Sequence, residues 1–67
     1  MGLTQRETEV LDLIAEAQTS KQIARALHIS VHTVGNHRKH ICRKLGLHTT
    51  AELVAFALRR RQSARGA

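Results

Sequence analysis

Four times in 67 residues, with no proline anywhere, this chain presents the local signal that starts a helix. Thr4-Gln5-Arg6-Glu7 has the capping-box spacing, in which a Thr hydroxyl and a Glu carboxylate three residues on satisfy each other's unpaired backbone donors. Thr19-Ser20-Lys21-Gln22 repeats the pattern with Gln, and Thr49-Thr50-Ala51-Glu52 repeats it with Glu. Ser30 offers a fourth cap, flanked by Ile29 and Val34 at the spacing of a hydrophobic staple. One such box is weak evidence. Four, each leading into apolar residues at helical period, fix the chain as all-α.

The spacing predicts helices over about 5–17, 20–27, 31–45 and 50–61. The first carries Val10, Leu11 and Ile14 on one side, continuing to Ala17; the second carries Ile23, Ala24 and Leu27. The third carries Val34, Ile41 and Leu45 and stops before Gly46, a natural residue for the position after a helix. The fourth places Leu53, Phe56, Ala57 and Arg60 on one face. No alternating run or hairpin turn supports a strand. Only His28-Ile29-Ser30 separates the second and third helices, so they must cross steeply, as in a helix-turn-helix. The expected architecture is a four-helix bundle containing that motif, with the first and fourth helices closing a small core. Residues 1–2 read as a start or a leftover, 3–61 as the domain, and 62–67 as a flexible tail.

A chain this short hides only about 60% of the surface its unfolded form exposes, leaving no room for an enclosed substrate cavity. No nucleophile, base and orienting group assemble, so an enzyme is not expected. A single Cys excludes a disulfide framework and points to a reducing, cytoplasmic setting. No apolar run approaches the ~20 residues that cross a bilayer. A membrane-surface peptide needs continuous basic and apolar amphipathicity, which the acidic first helix interrupts. His37 and His40 could supply two metal ligands without an evident third, and Cys42 lies roughly 160° around the helix from His40, so neither metal nor cofactor is expected. Cys42 reads instead as a small, partly buried apolar residue.

The net charge of +6 is unevenly placed. Residues 1–17 set Arg6 against Glu7, Glu9, Asp12 and Glu16. Residues 18–48 hold Lys21, Arg25, Arg38, Lys39, Arg43, Lys44 and all five His with no acid. Residues 49–67 set Arg59, Arg60, Arg61 and Arg65 against Glu52. An acid-free basic block beside an acidic one is an oriented surface for a polyanion, and nucleic acid is the leading candidate.

The third helix carries that block. At ~100° per residue, His32, Asn36, Lys39 and Arg43 gather opposite Val34, Ile41 and Leu45, with Gly35 and His40 at the margins. Asn suits the N6/N7 edge of adenine, and Lys or Arg suits guanine O6/N7. A merely solvated face normally mixes both signs of charge, and this one does not. Gly35 costs helix stability; a close approach by DNA backbone or a base methyl would explain it, and so would drift.

These residues resemble a LuxR-type (GerE-like) helix-turn-helix domain over Leu3 to about Arg61. The resemblance is carried by Leu3-Thr4, Arg6-Glu7, Glu9-Val10-Leu11, Lys21-Gln22-Ile23-Ala24, Leu27, Ile29-Ser30, Thr33-Val34, His37 and Lys44-Leu45-Gly46. It implies a four-helix DNA-binding domain, usually the C-terminal output module of a bacterial transcription regulator. It also implies that the third helix reads the major groove and that two copies pair through the fourth. Its base-reading positions fall on Gly35, Asn36 and Lys39, to which the polar face itself adds Arg43. Its phosphate contacts fall on Thr33, His37 and Lys44 and near the second helix's start at Ser20, Lys21 and Gln22, and His32 of the polar face joins them. His37 borders the core side, so a packed imidazole remains an alternative there. Arg38 likewise borders the core and can cover it with its methylene stem. The chain departs from the family at three places: Gly35 where Lys is often found, Ala17-Gln18 where a Gly commonly ends the first helix, and Gln5 where Pro is frequent.

The fourth helix carries a second apolar stripe, Ala51, Val54 and Leu58, beside its core face. It is read as a homodimer contact, with a wider core as the alternative. The expected function is sequence-specific binding of paired half-sites in double-stranded DNA by a dimer. Possible further partners are an upstream receiver or ligand-binding domain and RNA polymerase, and no membrane is expected. The alternative is a helix-turn-helix used mainly for protein contact, as in a sigma-like or anti-regulator fragment.

Overall fold

The computed structural model describes residues 2–65. Four helices follow in order: α1 (Gln5–Ala15), α2 (Ser20–Leu27), α3 (Val31–Leu45) and α4 (Thr50–Arg65). Each begins where its cap predicts. Thr4 Oγ1 accepts from Glu7 N at 3.1 Å while Glu7 Oε1 accepts from Thr4 N at 2.9 Å. Thr19 and Gln22 close the same ring at 3.2 and 2.8 Å. Thr49 and Glu52 close it at 3.1 Å in both directions. Backbone donors at His48 and Thr49 hold the Glu52 carboxyl below its ordinary value. At α3, Ser30 Oγ accepts from Thr33 N at 3.0 Å, with Val34 in the core cluster and Ile29 half-buried against it.

Val10, Leu11 and Ile14 of α1 meet Ile23 and Ala24 of α2, Val34 and Ile41 of α3, and Leu53 and Ala57 of α4 in one buried cluster. α1 is its hub, packed against all three other helices, while α2 and α3 pack on each other. Phe56 and Leu45, expected on core faces, are half-buried at the rim of this cluster. Leu27 and Cys42 sit there too.

Two helix ends differ from expectation. α1 stops at Ala15, two residues short of the periodic apolar pattern, because Ala17 adopts φ 62° and turns the chain. Gln18 N then donates back to Leu13 O at 3.1 Å, closing the end. His28 ends α2 in the same left-handed conformation at φ 59°, and Gly46 ends α3 at φ 69°. α4 runs four residues beyond Arg61, so 62–65, read as tail, are helical; residues 66–67 lie outside the described residues. Gln, Ser, Ala and Arg carry no helix-breaking signal, and tertiary anchoring of the preceding turn lets the helix propagate.

Ala17 is exposed yet occupies a conformation that disfavours any residue with a Cβ by roughly 1–2 kcal/mol. Ala17→Gly should therefore stabilise the chain by about 0.5–1 kcal/mol after the added unfolded-state entropy is subtracted. In a domain of this size that is a rise of roughly 2–8 °C in a circular-dichroism melt. An unchanged or lower midpoint would mean that the turn is not strained.

Candidate nucleic-acid interface

The α2–α3 unit is built so that one side of α3 is tied to the core and the other is left to solvent. Val34 and Ile41 are fully buried, and their burial orients the helix about its axis. His32, Asn36, Lys39, His40 and Arg43 are consequently exposed, and Gly35 is half-exposed between them. The expected reading face is thus assembled as one surface. It presents amide and cationic donors and no carboxylate.

The flanking positions divide. Lys21 and Gln22 are exposed and Ser20 is half-buried in the first turn of α2, where unpaired N–H groups and the helix dipole favour an anion. Gln22 Oε1 is engaged with Thr19 N, leaving its NH2 as donor. Thr33 is half-buried and its Oγ1 lies 2.9 Å from Ser30 Oγ, so the hydroxyl is shared with the cap. His37 and Arg38 are half-buried, intermediate between packing and contact.

Lys44 is the position the sequence alone places differently. Its Nζ donates to Glu7 Oε1 at 2.7 Å, and the Glu7 carboxylate is almost wholly buried, with 4% of its side chain exposed. The Lys44 hydrogen bond first, and the Thr4 backbone donor second, hold the Glu7 carboxyl below its usual value. One ammonium of the basic block is therefore neutralised from within, and it fastens α3 to α1. Among the described residues the three ion pairs all use acids of α1: Glu7 with Lys44, Glu9 with Arg6, and Asp12 with Arg60. Arg61 Nη1 also donates to the Ala15 carbonyl at 3.1 Å, satisfying an end of α1. Two arginines of the Arg59–Arg61 run in α4 are thus turned to α1. Lys21, Arg25, Lys39 and Arg43 remain exposed on the α2–α3 side.

An open cleft of about 490 Å³ continues this basic surface from α3 to the start of α4. Arg38, Lys39 and Arg43 of α3 border it beside Cys42, and His48 joins them from the turn before α4.

On α4, Leu53 and Ala57 are buried, whereas Leu58 is 42% exposed and Ala51 is exposed. Val54 is half-buried, packed against the edge of the core. Ala55, four residues after Ala51 and three before Leu58, is exposed beside them.

A helix-turn-helix set in a helical bundle, with an acid-free exposed face on its second member, defines a DNA-binding helix-turn-helix domain. Residues 1–57 match the model of the bacterial regulatory proteins, luxR family. The chain belongs to that family. It is 49% identical over 57 residues to the uncharacterized response regulatory protein YgeK of Escherichia coli K12, a match covering 85% of this chain and 39% of the relative. It is 48% identical over 59 residues to the oxygen regulatory protein NreC of Staphylococcus aureus JH9, covering 88% of this chain and 27% of the relative. The chain thus spans well under half the length of these relatives. No solved structure matches it at a significant level.

Proposed function

We propose that this chain is the DNA-reading output domain of a cytoplasmic response regulator, binding paired half-sites as a dimer. The observation that carries the reading is the exposed, acid-free face of Asn36, Lys39 and Arg43 on a helix whose opposite side is locked into the core. α3 enters the major groove, with Asn36 on adenine and Lys39 or Arg43 on guanine, and Gly35 lies against the bases. The first turn of α2, through Ser20, Lys21 and Gln22, and His32, Thr33 and His37 of α3, lie along the phosphates. Lys44 contributes to the phosphate field with the donors left after its bond to Glu7. Ala51, Leu58 and the flanking Val54 form the two-fold contact of α4. Two reading helices paired in this way would engage half-sites about one DNA turn apart. An upstream receiver domain accords with the similarity to a response regulatory protein, and RNA polymerase is the downstream partner. Among the described residues no helix is long and apolar enough to cross a membrane.

A salt series on duplexes selected by the chain from a random library tests this. Binding should fall linearly on a log–log plot, with a slope of about −0.9 per phosphate neutralised, because each contact releases counterions. A flat salt response, or no selected duplex, would favour a helix-turn-helix that contacts protein instead.

A further inference from the structure

Gly35 has no work to do inside this domain. Its φ is not in the left-handed region, and a Cβ placed on it would meet nothing within 4 Å. Alanine would fit there and is the better helix former, so neither the backbone nor the packing accounts for glycine. Val31, one turn before it, is equally unaccounted for: it is 47% exposed in the first turn of α3. Residues four apart lie along one row of a helix, so the surface reads Val31, a missing side chain at Gly35, then Lys39. Asn36 borders the same row on the side of the reading face.

The row therefore contains a notch with an apolar wall at Val31 and a floor of helix backbone. That backbone's donors and acceptors are engaged within the helix, so the notch offers a phosphate oxygen nothing to bind. The one apolar group on the major-groove edge of DNA is the 5-methyl of thymine. We propose that the notch at Gly35 seats that methyl against Val31, making the pair a specificity determinant for one thymine in each half-site. This rests on α3 occupying the major groove and names what one part of it reads. Asn36 and Lys39 hydrogen-bond neighbouring base edges while the notch reads by shape and apolarity.

Replacing thymine by uracil removes the methyl and nothing else. In the duplexes selected by the 67-residue chain, each thymine would be replaced in turn and affinities measured at fixed salt. One position per half-site should lose about fourfold, the effect of exposing one buried methyl. Gly35→Ala fills the notch and should abolish the thymine–uracil difference at that position, while its melting temperature stays the same or rises. Val31→Ser should diminish the difference without filling the notch. If duplexes are selected but no thymine is sensitive, or if Gly35→Ala keeps the full difference, this assignment fails and the groove-reading role of Asn36 and Lys39 stands. If no duplex is selected, both fail together.

Discussion

Lys39→Ala will flatten the chain's preference among duplexes at one base position by about 1–3 kcal/mol, a factor of roughly 5–150. Lys39 is exposed at the centre of the α3 face, is not among the residues forming the described ion pairs, and stands four residues from the half-exposed Gly35. Its removal leaves the core untouched, so the melting temperature should hold. Competition among selected and single-substituted duplexes measures the effect. A uniform loss on every sequence would make Lys39 a phosphate contact.

Lys44→Ala is the informative contrast. Sequence similarity alone would make it a simple phosphate variant, lowering the salt slope by about 1 with preference unchanged. The bond to Glu7 adds a second consequence, because the variant strands a nearly buried carboxylate. The sign follows from the lowered Glu7 value. A carboxyl whose folded value is depressed contributes stability above its ordinary range near 4.5, and that contribution fades as pH falls through the folded value. The gap in melting temperature between the native chain and Lys44→Ala should therefore be widest at neutral pH and close below that range. A gap constant with pH would show that the pair does not hold α1 to α3.

The contrast between these two lysines shows what the order of residues can reveal. The exposed position of Lys39 is legible because its neighbours on the helix, Asn36 and Arg43, are three and four residues away and share its face by geometry alone. The four caps were legible for the same reason, since each is a bond between residues three apart. Lys44 and Glu7 are 37 positions apart, and Asp12 and Arg60 are 48 apart. Nothing local marks such pairs, although the acids of α1 and the surplus of cations elsewhere announced that partners were available. The end of α1 is not legible in the sequence, because Ala17 continues the apolar period and period alone cannot show that its backbone turns left-handed. On α4 the spacing of Ala51, Val54 and Leu58 is legible in the sequence, but the degree to which each is exposed is not. The burial of Leu53 and Ala57 draws Val54 into the rim and leaves Ala55 outside.

Leu58→Asp should impair binding to paired half-sites by roughly 5–150-fold relative to a single half-site, the range of a coupling free energy between two sites. Leu58 is one of two large apolar side chains well exposed among the described residues, and it lies in line with Ala51 and Ala55. In the proposed dimer, two small residues beside one large one would let two helices approach closely across a two-fold axis, each Leu58 against its counterpart. A patch of this size buries little area, so the free chain should pair weakly and the DNA should supply the missing coupling. An Asp at the contact sets two carboxylates against each other and removes the apolar surface at once. Because Leu58 is exposed, the substitution should leave the melting temperature of the monomer near its native value. Equal loss on single and paired half-sites, accompanied by a lower melting temperature, would place Leu58 in the support of the core and leave α4 without a role in pairing.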